Sequence, residues 1–313
     1  MSEAVYGNLP ERRHRTGLLF VFSAGVLWSS IGLCIRLIEN ASVWQILFYR
    51  SISLTILLFI VIWLRTRQNP LRLAFEAGTP AIIGALALVI AYTGGIYAIQ
   101  ATSVANALLL FAAAPFFAAL LGWLVLGEPV RRATGVAIVA AIVGIAIMVS
   151  DQSSSGALGG AHSGALGGNL AALVSALGFA VFTITLRWRQ TSEMLPSVLL
   201  SGIFAIVLMA LICWQLEQTL ILSRNDGMIS AGMGFFQIGA GLVLFTLGSK
   251  TVPAAELVLL SMSEVLLGPL WVWLFLGETA SNNTLAGGLV LLCAIVGNAF
   301  SSTRRRAPPI PGP

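Results

Sequence analysis

Charged residues are scarce in this chain of 313 residues: Asp, Glu, Lys and Arg together make up 9% of it. A soluble domain carries about 25%. Hydrophobic residues make up 58%, and the mean hydropathy is +0.93. Because so few polar side chains cannot cover a water-facing surface, the composition excludes a soluble domain and predicts that a lipid bilayer surrounds the protein.

The net charge of +5 does not indicate a nucleic-acid partner. The basic residues occur in short clusters between apolar runs, which is typical of the loops that orient a membrane protein. Cys34, Cys213 and Cys293 all lie inside apolar runs without metal-ligand spacing, so we expect packing residues rather than a disulfide or metal site. No metal, cofactor or nucleic-acid partner is therefore expected.

Catalytic and energy-coupling motifs are also missing. The sequence contains no Walker P-loop, which excludes ATP as the energy source, and no HExxH or GxSxG motif. Both histidines, His14 and His162, lie outside the predicted membrane spans, so a Ser–His pair within the membrane is not expected. No TVGYG-like filter segment occurs. These absences argue against an intramembrane hydrolase and against a potassium channel.

What the chain does contain is a duplication. The segment LGWLVLGEP at 121–129 returns as WVWLFLGET at 271–279, a shift of 271 − 121 = 150 residues. The same shift aligns the apolar run 79–100 with the run 229–250. A duplicated block of apolar helices is the sequence signature of a secondary transporter built from internal repeats.

The apolar runs predict ten membrane spans, each near the ~20 residues that cross a bilayer. With the N-terminus in the cytoplasm, fourteen Lys and Arg residues fall on the inside and only Arg36 and Arg224 on the outside. Both termini are therefore predicted to be cytoplasmic. The predicted spans are 17–38, 43–64, 79–99, 103–126, 133–150, 169–187, 195–214, 229–249, 252–276 and 283–303.

Five spans per repeat have a topological consequence. An odd number places the second repeat upside down relative to the first, so we expect an all-α membrane protein with ten transmembrane helices in two inverted five-helix repeats. The Gly- and Ser-rich linker contains SGALGG twice and is expected outside the cytoplasm, and the Pro-rich tail APPIPGP is expected to be disordered. The predicted divisions are 1–16 (N-terminal segment), 17–150 (first repeat), 151–168 (linker), 169–303 (second repeat) and 304–313 (tail).

The chain resembles the drug/metabolite transporter superfamily, EamA type, from about residue 17 to 301. The matching pieces are VLWSSIGLCIRL at 26–37, ILFYRSISL at 46–54, and the Leu-Gly-Glu endings of spans 4 and 9, each followed by a glycine-rich span. The resemblance implies a small-molecule substrate and a central cavity lined mainly by spans 1, 3, 4, 6, 8 and 9. It leans towards export across a bacterial inner membrane, although related members import.

Glu264 is the sharpest candidate for a functional residue. It falls about twelve residues into span 9, where a carboxylate costs roughly 2.5–3.5 kcal/mol on insertion scales. Protonation, an ionic partner or a wet cavity would relieve this cost, and each makes Glu264 a site for a proton or cation. Its aligned partner is Ala114, so only one repeat carries the charge. The structural alternative is a hydrogen bond to Ser261 or Ser263.

Arg50 is the second charge inside a span, and its residue type would attract an anionic or zwitterionic solute. The alternatives are snorkelling to the interface or pairing with backbone carbonyls. Arg36 and Glu256 lie near span ends, where snorkelling suffices. Glu128 and Glu278 end spans 4 and 9 and are interpreted as caps of the following helices.

Neutral side chains on the cavity-facing spans form a weaker set, in which any member is more often a packing residue. Pro115 and Pro269 are expected to bend spans 4 and 9, either as static kinks or as gate hinges. Glycine-rich spans 5 and 10 fit either internal packing or a homodimer contact. The neutral candidates are Trp28, Tyr92, Asn106, Gln237 and Thr246.

Three classes of function are open to a membrane protein of this sequence. The first is a secondary transporter of a small metabolite or drug that works by alternating access, with protons coupled through Glu264 and with exchange or facilitated diffusion as variants. The second is a membrane protein that handles lipid or regulates without moving a soluble solute. The third is an intramembrane enzyme, which the missing catalytic motifs disfavour.

Overall fold

The structure is a computed structural model that describes residues 9–128, 130, 132–150, 162–188, 195–249, 251–252, 260 and 263–303. Side chains are described within these ranges except at 9–13, 162–165, 187–188 and 302–303. Glu256, Ser261, most of the predicted linker and the C-terminal tail lie outside the described residues, so the predictions made for them stay predictions.

The helices are numbered α1 to α10 after the predicted spans, and three of them consist of consecutive segments. A short helix, Pro70–Glu76, connects α2 to α3. The bounds are α1 (Leu9–Ser29 and Ile31–Arg36), α2 (Val43–Thr66), α3 (Gly78–Ala101), α4 (Val104–Phe111 and Ala114–Leu126), α5 (Arg132–Ser150), α6 (His162–Trp188), α7 (Leu195–Gln215), α8 (Arg224–Gly232, the π-helical Met233–Ala240, and Gly241–Gly248), α9 (Ser263–Leu276) and α10 (Asn282–Thr303).

Within the described residues, nine helices are long and apolar enough to cross a membrane. The remaining one, α9, is described only from Ser263, and its fourteen residues are apolar except for Ser263 and Glu264 in the first turn. With α9 the chain has ten membrane helices, as predicted. Large apolar side chains such as Leu19, Val136 and Leu211 are exposed on the outer surfaces of these helices, where lipid satisfies them.

Helix packing follows the two-repeat organisation. Each helix has an equivalent five numbers away in the other repeat, so that α1 corresponds to α6 and α8 to α3. Replacing both helices by their equivalents converts the packed pair α1–α8 into the packed pair α6–α3, and the pair α1–α9 into the pair α6–α4. The pairs α2–α7, α5–α10 and α4–α9 map onto themselves. This exchange pattern, with five helices in each repeat, is that of two inverted five-helix repeats packed against each other.

Glycines set the closest helix approaches. A Cβ built on Gly178 of α6 would lie 2.7 Å from the carbonyl oxygen of Ala87 in α3, and one on Gly144 of α5 would lie 2.6 Å from that of Gly287 in α10. Backbones this close leave no room for any other residue. The glycines of α5 and α10 therefore pack within the chain at Gly144 and Gly287, whereas Gly135 and Gly297 face open space.

Three helices begin five or more residues before the predicted spans. α1 begins at Leu9, eight residues before the predicted start at 17. α6 begins at His162, so the second SGALGG copy is helical, and Gly168 packs against Ala101 and Thr102 at the end of α3. α8 begins at Arg224, five residues before the predicted start, because the Ser223 hydroxyl accepts the backbone N–H of Asp226 and caps the helix.

Candidate functional site

The crossing of α1 with α8 brings together two of the predicted residues. The amide Nε2 of Gln237 donates to the backbone oxygen of Trp28 at 3.2 Å, and the Trp28 ring packs on Phe245 with centroids 5.4 Å apart. Trp28 lies in the last turn of its helical segment, where carbonyl oxygens lack intrahelical donors. The other amide atom, Gln237 Oε1, is buried without a hydrogen-bond partner among the described residues. It is an unsatisfied acceptor at the boundary between the repeats.

Local backbone irregularities shape this crossing. The hydroxyls of Ser29 and Ser30 donate back to the carbonyls of Val26 and Leu27, at 2.7 and 2.6 Å, and the first segment of α1 ends at Ser29. Opposite, Gln237 lies in the π-helical stretch of α8, a form that recurs at functional sites because it displaces side chains from the regular register. Neither irregularity is predicted from the sequence.

Glu264 lies at the start of described α9, on the face that packs against α1 and α4. Four residues on, Gly268 lies against Leu108 and close to the backbone oxygen of Ser29. Seven residues on, the indole Nε1 of Trp271 donates to Ser29 Oγ at 2.8 Å. Since residues at i, i+4 and i+7 share a helix face, the Glu264 side chain is directed towards the seam between α1 and α4.

The carboxylate of Glu264 is partly buried and makes no hydrogen bond or ion pair with any described residue. The predicted alternative partner Ser263 donates its hydroxyl to the carbonyl of Leu260 at 2.6 Å instead. A carboxylate that is partly buried on a membrane helix and has no partner among the described residues favours binding of a proton or cation.

Arg50 is enclosed in the protein, with 1% of its surface exposed. Its guanidinium carbon lies 4.4 Å from the ring centroid of Tyr92, a cation–π contact between α2 and α3. Its Nε and Nη2 atoms have no hydrogen-bond acceptor in the described part of the chain. The alternatives of snorkelling and of pairing with backbone carbonyls are therefore wrong, because the side chain points inwards and meets an aromatic face.

Asn106 lies at the beginning of α4 and belongs to a separate polar cluster. Its Nδ2 donates to Thr102 Oγ1 at 3.2 Å and to Asn169 Oδ1 of α6, while its Oδ1 is buried without a partner. Thr246 joins neither group, because its hydroxyl donates to the Leu242 carbonyl of its own helix at 2.7 Å. The seven predicted residues therefore form two contacting pairs, Trp28–Gln237 and Arg50–Tyr92, and three separate positions at Asn106, Glu264 and Thr246, rather than one cluster.

The two prolines have different local settings. α4 is interrupted at Ala112 and Ala113, directly before Pro115, and resumes as a new helical segment. Pro269 lies inside α9 without interrupting it and lines a cleft of about 350 Å³ that also contacts Trp273, Glu278 and Leu285. Their role as hinges stays a prediction.

The roles predicted for Arg36 and Glu278 are wrong. Arg36 does not snorkel: its Nε donates to Glu278 Oε2 at 2.7 Å, and its Nη2 to Oε1 at 3.3 Å. Glu278 does not cap the helix that follows it, since its Oε1 accepts the backbone N–H of Val104, the first residue of α4, at 2.8 Å. The contacts join residues 242 and 174 positions apart, so local sequence gave no signal of them.

Comparison with known proteins agrees with this architecture. The EamA-like transporter family matches residues 15–150 and again 166–300, once for each repeat. The chain therefore belongs to the EamA-like transporter family. It is 27% identical, over 214 residues, to the uncharacterized transporter YwfM of Bacillus subtilis strain 168, covering 67% of this chain and 70% of that one.

A solved crystal structure of a protein has the same fold, with a TM-score of 0.60 over 93% of this chain and 97% of that chain. The two sequences are 19% identical, so the likeness concerns the fold alone. The family and the relative identify an integral membrane transporter, and the resemblance stated from the sequence is confirmed.

Proposed function

We propose that the protein is a secondary transporter that moves a small organic solute by alternating access, driven by protons that bind Glu264. The observation that carries the proposal is the partly buried carboxylate of Glu264, which has no partner among the described residues and faces the seam between α1 and α4. Because α1 and α4 belong to the first repeat and α9 to the second, rocking of one repeat against the other changes the surroundings of this carboxylate.

The charge of the proposed substrate follows from Arg50. A guanidinium that is buried without an acid partner in the described residues attracts an anionic group, and Tyr92 holds it by its ring face without neutralising it. The substrate is then an anionic or zwitterionic solute with an apolar part for Trp28, and its donor groups can bind Gln237 Oε1. Asn106 and Thr246 stay weaker predictions.

The proposed setting is the bacterial inner membrane, with both termini in the cytoplasm and with export as the direction. The distribution of Lys and Arg supports this orientation. We call the membrane side at which α1 ends the Arg36 face, and it is the extracytoplasmic face in this orientation. A homodimer through the outer surfaces of α5 and α10 stays a prediction.

The test compares metabolites inside and outside cells that make the wild type, Glu264→Gln, Glu76→Gln or no transporter. Glu76 is the matched control, because it is an exposed carboxylate paired with Arg72 in the short helix. We expect one compound to shift across the membrane with the wild type and the control, and at least tenfold less with Glu264→Gln.

The dependence of the shift on external pH should also disappear in Glu264→Gln. Equal, pH-dependent transport by Glu264→Gln and the wild type would contradict the coupling role. If no compound shifts, the same three proteins are compared in liposomes loaded with a cell metabolite extract. Absence of movement there contradicts the transport proposal.

A further inference from the structure

A single ion pair on the Arg36 face joins three helices from both repeats. Arg36 is the last residue of α1, and Glu278 follows α9 by two residues. Their two hydrogen bonds, at 2.7 and 3.3 Å, form the fork-like contact that makes guanidinium–carboxylate pairs strong and directional. The contact closes the α1–α9 seam at the end nearest this face.

The same two side chains also bind the beginning of α4. Glu278 Oε1 accepts the N–H of Val104, and Arg36 Nη2 donates to the carbonyl of Thr102, both at 2.8 Å. The first N–H groups of a helix lack intrahelical acceptors, and a carboxylate is favourable beside them. The ion pair therefore holds α4 to α1 and α9, the helices that surround Glu264.

We propose that the Arg36–Glu278 ion pair is the latch that closes the solute pathway on the Arg36 face, and that it must separate for the pathway to open there. The proposal rests on the proposed function in taking the α1–α4–α9 seam as the pathway. Behind the latch lies a second contact, the Trp271–Ser29 hydrogen bond, seven residues before Arg36 and thus about 10 Å deeper along α1.

The exposure of the pair makes the latch reversible. The Arg36 and Glu278 side chains are 26% and 22% exposed, so water can solvate both charges when they separate. Hydration of the separated charges offsets much of the attraction that the contact provides, which allows closed and open states of similar population. The cleft of about 350 Å³ beside Pro269 and Glu278 leaves space for the end of α9 to move.

The contact made by the Asp226 carboxylate differs from the Arg36–Glu278 pair in how much of it is exposed to water. Asp226 of α8 accepts the backbone N–H groups of Glu39 and Asn40 at 3.1 Å each, and the residue is only 1% exposed. Separating this contact would leave a buried carboxylate without donors, which is costly. The Asp226 contact is thus a static clamp between the α1–α2 loop and α8, whereas the Arg36–Glu278 pair can open.

The test measures access to a cysteine behind the latch and needs no substrate. Cys34, Cys213 and Cys293 are replaced by Ser or Ala, and Ser29→Cys supplies the reporter. A membrane-impermeant methanethiosulfonate reagent is added to right-side-out or inside-out vesicles. We expect Arg36→Gln and Glu278→Gln each to raise labelling from the Arg36 face about fivefold or more, the ratio that corresponds to about 1 kcal/mol.

Labelling from the opposite face should fall or stay constant, because opening one side closes the other. Glu278→Gln keeps an oxygen for the Val104 N–H but removes the charge and one of the two acceptors of Arg36. Arg36→Lys keeps the charge without the two-point contact, so its labelling rate should lie between those of the parent and Arg36→Gln. The double variant should label no faster than the faster single variant, since both remove one contact. Arg72→Gln is the matched control, because it breaks the exposed Arg72–Glu76 pair away from the seam.

Two results would overturn the latch: parental labelling rates in both neutral variants, or equal increases from both faces, which indicate general loosening. Glu278→Gln alone decides the question if Arg36→Gln fails to reach the membrane. A sided response together with failed solute transport would leave the latch standing and remove the proposed function. Solute transport without a difference in labelling between the two faces would remove the latch and leave the proposed function standing.

Discussion

The crossings α1–α8 and α6–α3 occupy equivalent places in the two repeats but are packed with different side chains. The shift of 150 residues between the repeats pairs position 28 with 178, 91 with 241 and 87 with 237. In α6–α3 the three positions hold Gly178, Ala91 and Ala87, and the backbones nearly touch. In α1–α8 they hold Trp28, Gly241 and Gln237, so an indole ring and an amide fill the space.

The difference teaches how an inverted repeat becomes functionally asymmetric. Both crossings have the same topology, but at the three paired positions only α1–α8 carries an aromatic ring and, among the described residues, a buried amide oxygen without a partner. Only the adjacent α9 carries a carboxylate, since Ala114 occupies the aligned position in α4. We therefore expect the α6–α3 crossing to hold the repeats together and the α1–α8 crossing to contact the solute.

The largest effect is expected where the backbones are closest. Gly178→Leu places a Cβ 2.7 Å from the carbonyl oxygen of Ala87 and 3.1 Å from the backbone N of Ala91, and neither atom can move without the helix. We expect the free energy of unfolding to fall by about 3 kcal/mol or more, because overpacking of a tight core typically costs about 1–3 kcal/mol and the clash here is with backbone atoms. The yield and unfolding temperature of monodisperse protein in one detergent measure it.

Gly135→Leu is the matched control, because a Cβ at Gly135 meets nothing within 4 Å. It should change the unfolding temperature little, as surface substitutions usually stay within about 0.5 kcal/mol. Equal losses for both variants would show that the α6–α3 crossing is not specially constrained.

The next effect separates function from folding. Trp28→Ala removes the ring from the α1–α8 crossing but keeps the backbone oxygen that binds Gln237. We expect at least a tenfold loss of transport with a stability loss of about 1–3 kcal/mol, because the partly buried ring is worth less than a core tryptophan. Trp214→Ala is the control, because Trp214 is 75% exposed on the outer surface. This variant should transport the solute at the wild-type rate.

The smallest effect is expected at the glycine opposite Trp28. Gly241→Ala brings a Cβ against the indole Nε1 of Trp28, a side-chain atom that can shift, whereas the equivalent crossing presents backbone. We expect a stability loss below about 1 kcal/mol, smaller than that of Gly178→Ala measured in parallel. The reverse order would mean that the Trp28 ring is held as rigidly as the α6–α3 backbone.

Most of the fold was predictable because a membrane helix can be recognised from one continuous stretch of sequence. An apolar run of membrane length has to be helical in lipid, since no water satisfies its backbone groups. Spans such as 43–64 and 195–214 thus agree within two residues with Val43–Thr66 and Leu195–Gln215. The start of α8 was missed because it depends on the Ser223 cap, which lies in a polar segment.

The candidate site was predictable only in part. Residue type and depth singled out Glu264 and Arg50, because a charge inside a span is costly wherever it points. The partner of Arg50 was not predictable, since the cation–π contact needs Tyr92 of α3 to meet α2 in space. The Arg36–Glu278 pair was misread for the same reason, as both residues looked like ordinary helix ends.

The sequence by itself determined the solvent, the number of helices and their repeat, because these depend on apolar length and on a fixed shift of 150 residues. Only the tertiary structure decided which charges have partners. Arg36 is paired, Arg50 rests on an aromatic ring, and Glu264 has no partner among the described residues. The physical reason is that hydropathy acts residue by residue along the chain, whereas ion pairs and cation–π contacts depend on distances of a few ångströms between helices far apart in sequence.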